Sequence, residues 1–219
     1  DLLICGCSVV LPGFRLLEHA AIAVDRGIIL EIGDVDQMRT RYQPNQTIWA
    51  EGKLAMPGMY DCHTHTVQQL LKGGTVDEPP IIWRRILVPY ESHLTAEDRY
   101  HAARLYCLQA LRAGITMFAD AGSMDMTGTA RAVSETGIRA AIARVGRDLD
   151  PELPACMCDA TAEKSISAME TFYRDYHGTA DGRIHVWFSL SSPMSSSPQL
   201  VEGVAQVAKS RNTGIHIHL

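Results

Sequence analysis

After Pro57-Gly58 the chain alternates β-prone apolar runs with segments of helical period. That alternation restricts the fold to a parallel sheet flanked by helices. The apolar runs lie at 113–122, 138–146, 183–190 and 214–219, and a further strand carries "MYDCHTH". Helices are expected in the gaps. Thr95 reads as an N-cap, with Glu97 and Asp98 at the positive end of the dipole. Tyr100, Leu105, Leu108 and Leu111 follow as the core stripe, and Gly114 stops that helix. Ile166, Met169, Tyr173 and Tyr176 form a second stripe. Ser197-Pro198 opens a third helix, with Leu200, Val201, Val204, Val207 and Ala208 on one face.

The first 55 residues have a different texture. "LLICGCSVV" is an apolar run, and "AAIAVDRGIILEIGD" is two β-prone runs joined at Asp25-Arg26-Gly27, a hairpin signal. No helical period appears there, so a small β unit is expected. The five strands beyond it cannot close a barrel, which needs eight and typically about 250 residues. The fold is therefore either an open doubly wound sheet or an incomplete (β/α)8 TIM-like barrel of about five βα units. The chain starts without Met and stops at Leu219 in mid-strand, which favours the first part of a longer barrel protein.

Composition excludes several functions. A net charge of −5 with no basic run argues against nucleic acid and against an anionic membrane surface. No stretch has the length and apolarity of a spanning helix, and no basic segment precedes an apolar one. The six cysteines are scattered and read as reduced, which points to the cytoplasm. Their two Cys-x-Cys pairs do not have the spacing usual for structural zinc.

The chemistry concentrates in histidine. Nine histidines in 219 positions make one His-x-His pair weak evidence. Two pairs exist, however: His63 with His65, and His216 with His218 in "GIHIHL". Side chains two apart on a strand share a face, so Asp61, His63 and His65 are expected to point the same way. Parallel strands bring both pairs to the carboxyl rim, where barrel enzymes keep their active sites. Three neutral imidazoles there leave room for a carboxylate and a water on one catalytic ion. His19, His93, His101 and His177 read as loop or solvated positions, and His185 as a satisfied core histidine.

Competing His-x-His patterns do not fit. "TVQQ" follows where a metallo-β-lactamase has Asp-His, and neither a Pro-Cys-x-x-Cys nor a His-Glu-x-x-His motif is present. By contrast "LAMPGMYDCHTHT", "LLKGG", Trp83, "VPYESHLTAED", "AGITMFADAG" and "GIHIHL" occur in the order found in the amidohydrolase superfamily. They resemble its deaminase and chlorohydrolase branch, which includes S-adenosylhomocysteine/methylthioadenosine deaminases, guanine-type deaminases and triazine hydrolases.

That resemblance implies the N-terminal part of a β-sandwich domain at 1–55 and the first part of a metal-dependent hydrolase barrel at 56–219. It implies His63, His65 and His218 as ligands of one divalent metal, Zn2+ in preference to Fe2+, and Glu91, Arg144 and Trp83 as substrate-binding residues. The bridging strand-four lysine or glutamate of binuclear members has no counterpart in "IHVWFSLSS". Ser191 stands where the adenosine-derivative deaminases carry a substrate-contacting histidine. The acid/base residues are expected beyond Leu219. The implied activity is hydrolysis of a C–N bond by a metal-activated hydroxide, deaminating a purine, pyrimidine or triazine. The alternatives are a chlorohydrolase, a cyclic amide hydrolase, or an inactive fragment or metal-binding partner subunit. A homo-oligomer acting on a small heterocyclic molecule, bound to neither nucleic acid nor membrane, is the expected assembly.

Overall fold

Strand β1 (Leu2–Leu11) pairs antiparallel with β2 (Arg15–Asp25), which turns through Arg26-Gly27 into antiparallel β3 (Ile28–Asp34). Both turn residues have positive φ, 48° and 77°, as a two-residue type I′ hairpin requires. The computed structural model describes residues 1–79 and 81–219, and this sheet belongs to the first of two units, Asp1–Gly58 and Met59–Leu219. β1 also takes β4 (Gln46–Trp49) and β5 (Leu54–Ala55) as parallel neighbours.

A bulge at Gly6, with φ 80°, shifts the register between Cys5 and Cys7. Leu3 and Cys5 consequently pack in one cluster, and Cys7 and Val9 in another. The thiols of this Cys-x-Cys pair face opposite sides of the sheet and cannot grip one ion. Helix α1 (Val35–Arg41) corrects the expectation that residues 1–55 contain no helix. At seven residues it is too short to display a period. It exists because Asp34 caps the N–H groups of Asp36 and Gln37 and because Val35 and Met38 cover Leu3 and Cys5.

The second unit runs β6 (Met59–Thr64), α2 (Val88–His93), α3 (Ala96–Arg112), β7 (Ile115–Asp120), α4 (Thr127–Thr136), β8 (Arg139–Gly146), α5 (Ala162–Tyr176), one-turn α6 (Thr179–Gly182), β9 (Ile184–Leu190), α7 (Pro198–Ser210) and β10 (Ile215–Ile217). Its strands pair in parallel in the order β10-β9-β8-β7-β6. This order decides between the two candidate architectures. A doubly wound sheet reverses direction at a switch point, whereas here each strand joins its successor and the sheet grows one way.

The sheet also curls. In a flat sheet four steps of about 4.8 Å would hold the edge strands about 19 Å apart. Yet His63 of β6 and His216 of β10 approach to 2.8 Å. The unit is a half-barrel of five strands, the partial TIM-like barrel expected from the strand count.

Helices cover the outer face. Phe118, Ile142, Ile184 and Val186 from the strands meet Ala103, Cys107, Ala130 and Val133 from α3 and α4. Phe188 and Leu190 meet Met169, Leu200 and Val204 from α5 and α7. The stripe read for α3 is corrected: Leu105, Leu108 and Leu111 are 38%, 47% and 37% exposed. The buried face is Tyr100, Ala102, Ala103, Tyr106, Cys107 and Ala110. Small residues win there because α4 crosses so closely that a Cβ on Gly128 would lie 2.6 Å from the Tyr100 nitrogen. Thr95 and Asp98 form the capping box that starts α3. Val201 of α7 is exposed, and so is His185, which is therefore no core histidine. No helix among the described residues is long and apolar enough to cross a membrane.

One glycine is indispensable at the rim. Gly122, just past β7, has φ 99°, and a Cβ there would meet the Ala143 carbonyl oxygen at 2.5 Å. Backbone cannot yield cheaply, so Gly122→Ala is expected to cost roughly 2–4 kcal/mol. Thermal unfolding monitored by circular dichroism checks this, and an unchanged midpoint would refute it.

Candidate metal centre and cavity

The rim receives its histidines from the two edge strands. β6 supplies His63 and, one residue past its end, His65; β10 supplies His216, and His218 follows it. His63 Nδ1 lies 2.8 Å from His216 Nε2, and His65 Nε2 lies 3.2 Å from His218 Nε2. One ring nitrogen from each of His63, His65 and His218 falls within 4.8 Å of the others. Asp61, expected on the same face, stands apart. A register irregularity interrupts β6 between Asp61 and Thr64. The Asp61 carboxylate instead accepts the Tyr106 hydroxyl at 2.6 Å and the His63 N–H at 3.1 Å.

The donor chemistry fits a divalent cation. His218 Nδ1 sits 2.9 Å from the Ser191 carbonyl oxygen, which can only accept. Nδ1 is therefore the donor, and Nε2 is the ring nitrogen that faces His65. Burial, reinforced by the charges that His218, His63 and His216 can carry, pulls the His65 pKa down to about 4. Burial first, then His63 and His218, lowers that of His216 as well. Neutral imidazoles keep their lone pairs free, as metal binding requires. Nitrogen donors of this kind suit zinc and ferrous iron alike.

Beside His65 and His218 opens a cavity of about 820 Å3, within the range of small-molecule sites. Trp83 and Glu91 line it, as does Ser191. Glu91 is buried, its carboxylate accepting Gln68 Nε2 at 2.6 Å and Ser123 Oγ at 3.4 Å. Arg144 is not among the lining residues. Its guanidinium is committed to Asp159 at 2.8 and 2.7 Å and to the Val145 carbonyl.

Arg84 and Arg147 line the cavity instead, and the sequence reading singled out neither; Arg147 is the buried one. It is 5% exposed. Nη1 donates to the Met157 carbonyl at 3.0 Å, and Nε has no partner among the described residues. The guanidinium lies 5.2 Å from the Trp83 ring centroid. Burial lowers its pKa, while the Glu91 charge opposes that shift. Gln68 was missed too. Being polar, close after His65 and on the Glu91 side of the cavity, it carried no signal that a sequence pattern could detect.

Residues 54–219 match the profile of the Amidohydrolase family. A 5-methylthioadenosine/S-adenosylhomocysteine deaminase from Desulforamulus reducens is 32% identical over 205 residues, 93% of this chain and 45% of that protein. The chain thus spans about half the length of the curated relatives it matches. Among solved structures, an adenosine deaminase from Xanthomonas campestris with bound zinc superposes with a TM-score of 0.86 at 24% identity, covering 100% of this chain and 49% of that one. A triazine hydrolase from Arthrobacter aurescens gives 0.84 at 21%, covering 100% and 52%. At these identities the superpositions speak for the fold, and the profile speaks for the lineage: this chain belongs to the amidohydrolase family.

Proposed function

We propose that the protein is a metal-dependent hydrolase of C–N bonds that releases ammonia from an amino-substituted nitrogen heterocycle. The observation that carries this reading is the convergence of the His63, His65 and His218 nitrogens at one end of a ligand-sized cavity. In this reading His63, His65 and His218 hold one divalent ion, Zn2+ in preference to Fe2+. When bound, such an ion activates water as a nucleophile near neutral pH.

The chain's own residues do the rest. The Ser191 carbonyl accepts from His218 Nδ1, which leaves Nε2 as the atom that would hold the ion. The cavity walls limit water around the substrate. Trp83 offers a flat apolar face to a planar ring, Glu91 accepts from the substrate's donors, and Arg147 donates to its acceptors. Among the described residues the convergent set holds no carboxylate. The deaminase and triazine hydrolase names of the relatives support a heterocyclic substrate. Six free cysteines support a cytoplasmic location. Completing the proposal, the protein is a homo-oligomer, residues 1–55 are part of a β-sandwich, and residues 56–219 are the first part of the barrel.

Metal removal tests the reading. The purified protein is expected to contain about one equivalent of zinc or iron and to release ammonia from a member of a panel of adenosine derivatives, guanine and aminotriazines. Chelation should abolish release and added metal should restore it. Full activity after exhaustive chelation refutes the proposal; chloride release from a chlorotriazine without ammonia release replaces deamination with dechlorination.

A further inference from the structure

His65 is held from both sides by the end of β7. On one side the Thr64 carbonyl accepts the Ala121 N–H at 3.0 Å. On the other, Asp120 Oδ2 accepts both the Thr66 N–H at 3.0 Å and the Thr66 hydroxyl at 2.5 Å. Asp120 Oδ1 accepts the Gly122 N–H at 2.8 Å. Thr66 has a single hydroxyl proton, which goes to Asp120, so the Thr129 hydroxyl 3.0 Å away is the donor to Thr66 Oγ1. A directed chain results, from Thr129 through Thr66 to Asp120.

All three side chains are buried, Asp120 at 2% exposure, and the donors just named to its carboxylate are neutral. A buried carboxyl group, its pKa pushed up by desolvation, is a costly way to fasten a turn that a neutral acceptor could fasten. The cost makes sense if the group serves the neighbouring site. It orients the backbone on both sides of His65, whose ring nitrogen belongs to the convergent set.

We propose that Asp120 and Thr66 are positioning residues that hold the His65 ring in ligating geometry. This rests on the metal reading above. Because no substrate is involved, the role can be read from metal binding alone.

The test uses Thr66→Val, Thr66→Ser and Asp120→Asn in the intact protein. It has three readouts: Co2+ and Zn2+ affinity by competition with a chromophoric chelator, the visible spectrum of the Co2+-loaded protein, and the melting midpoint of the metal-free protein. Thr66→Val and Asp120→Asn are expected to weaken metal binding roughly 10–100-fold and to change the Co2+ bands. Thr66→Ser, which keeps the hydroxyl, should restore wild-type affinity and spectrum. If Asp120→Asn fails to fold, the valine and serine pair still decides. Lower melting midpoints with affinity and spectrum unchanged overturn the proposal and leave a purely structural tie. A wild-type protein that takes up no divalent ion overturns the metal reading itself, which the variants cannot do.

Discussion

His65→Ala is expected to remove bound metal and to lower turnover by on the order of a thousandfold, the equivalent of several kcal/mol of transition-state stabilisation. Its ring nitrogen faces that of His218 at 3.2 Å and belongs to the convergent set with His63. Burial lowers the His65 pKa to about 4, so its lone pair is available across the whole neutral range. With alanine in its place, two nitrogens remain, and no third group of the same set replaces the lost donor.

His216→Ala supplies the internal comparison. His216 touches His63 at 2.8 Å but lies outside the set of three. Its loss is expected to act by letting the His63 ring turn, a roughly 10–100-fold effect. Metal analysis beside steady-state ammonia release distinguishes the two variants. Full metal occupancy in His65→Ala with turnover within tenfold of wild type sinks the assignment, and a His216→Ala loss equal to that of His65→Ala would move His216 into the ligand set.

The histidine cluster was legible because it depends on two regular properties. Period two along a strand keeps residues i and i+2 on one face, and parallel strands put their carboxyl ends at one rim. Those properties brought the two His-x-His pairs together, and the choice of His218 over His216 as a ligand came from the family resemblance. Asp61 obeyed the same rule on paper but lost it to an irregularity between residues 61 and 64, and nothing in the local composition announces that irregularity.

The α3 leucines failed for another reason. Size and apolarity suggested a core stripe, but the alanines allow closer approach to α4 and therefore take the inner face. α4 was expected only as a helix in a gap, with no face assigned, because its buried residues, Gly128, Thr129, Ala130, Ala132 and Val133, are mostly too small or too polar to mark a stripe. The bulge at Gly6, the hold of Asp120 on Thr66 and the reach of Ser191 to His218 all depend on tertiary pairing. No single segment contains that information.

The exchange of Arg144 for Arg147 in the cavity leads to opposite expectations for two like substitutions. Arg147→Met removes a guanidinium that is 5% exposed and makes one hydrogen bond among the described residues, to the Met157 carbonyl. Replacing such a charge with an apolar chain of similar length is expected to leave the melting midpoint nearly unchanged or raised. On the proposed reading the substrate also loses a donor, and kcat/KM should fall about 100-fold, mainly through KM.

Arg144→Met orphans Asp159, whose carboxylate both guanidinium nitrogens grip while the two side chains are 11% and 13% exposed. Breaking a buried pair from one side costs about 3–5 kcal/mol. That loss should lower the melting midpoint by roughly 10 °C and leave KM close to wild type. Calorimetry and Michaelis kinetics on the same two preparations decide the matter. A raised KM at unchanged stability in Arg144→Met would return the substrate contact to Arg144 and make the cavity wall at Arg147 incidental.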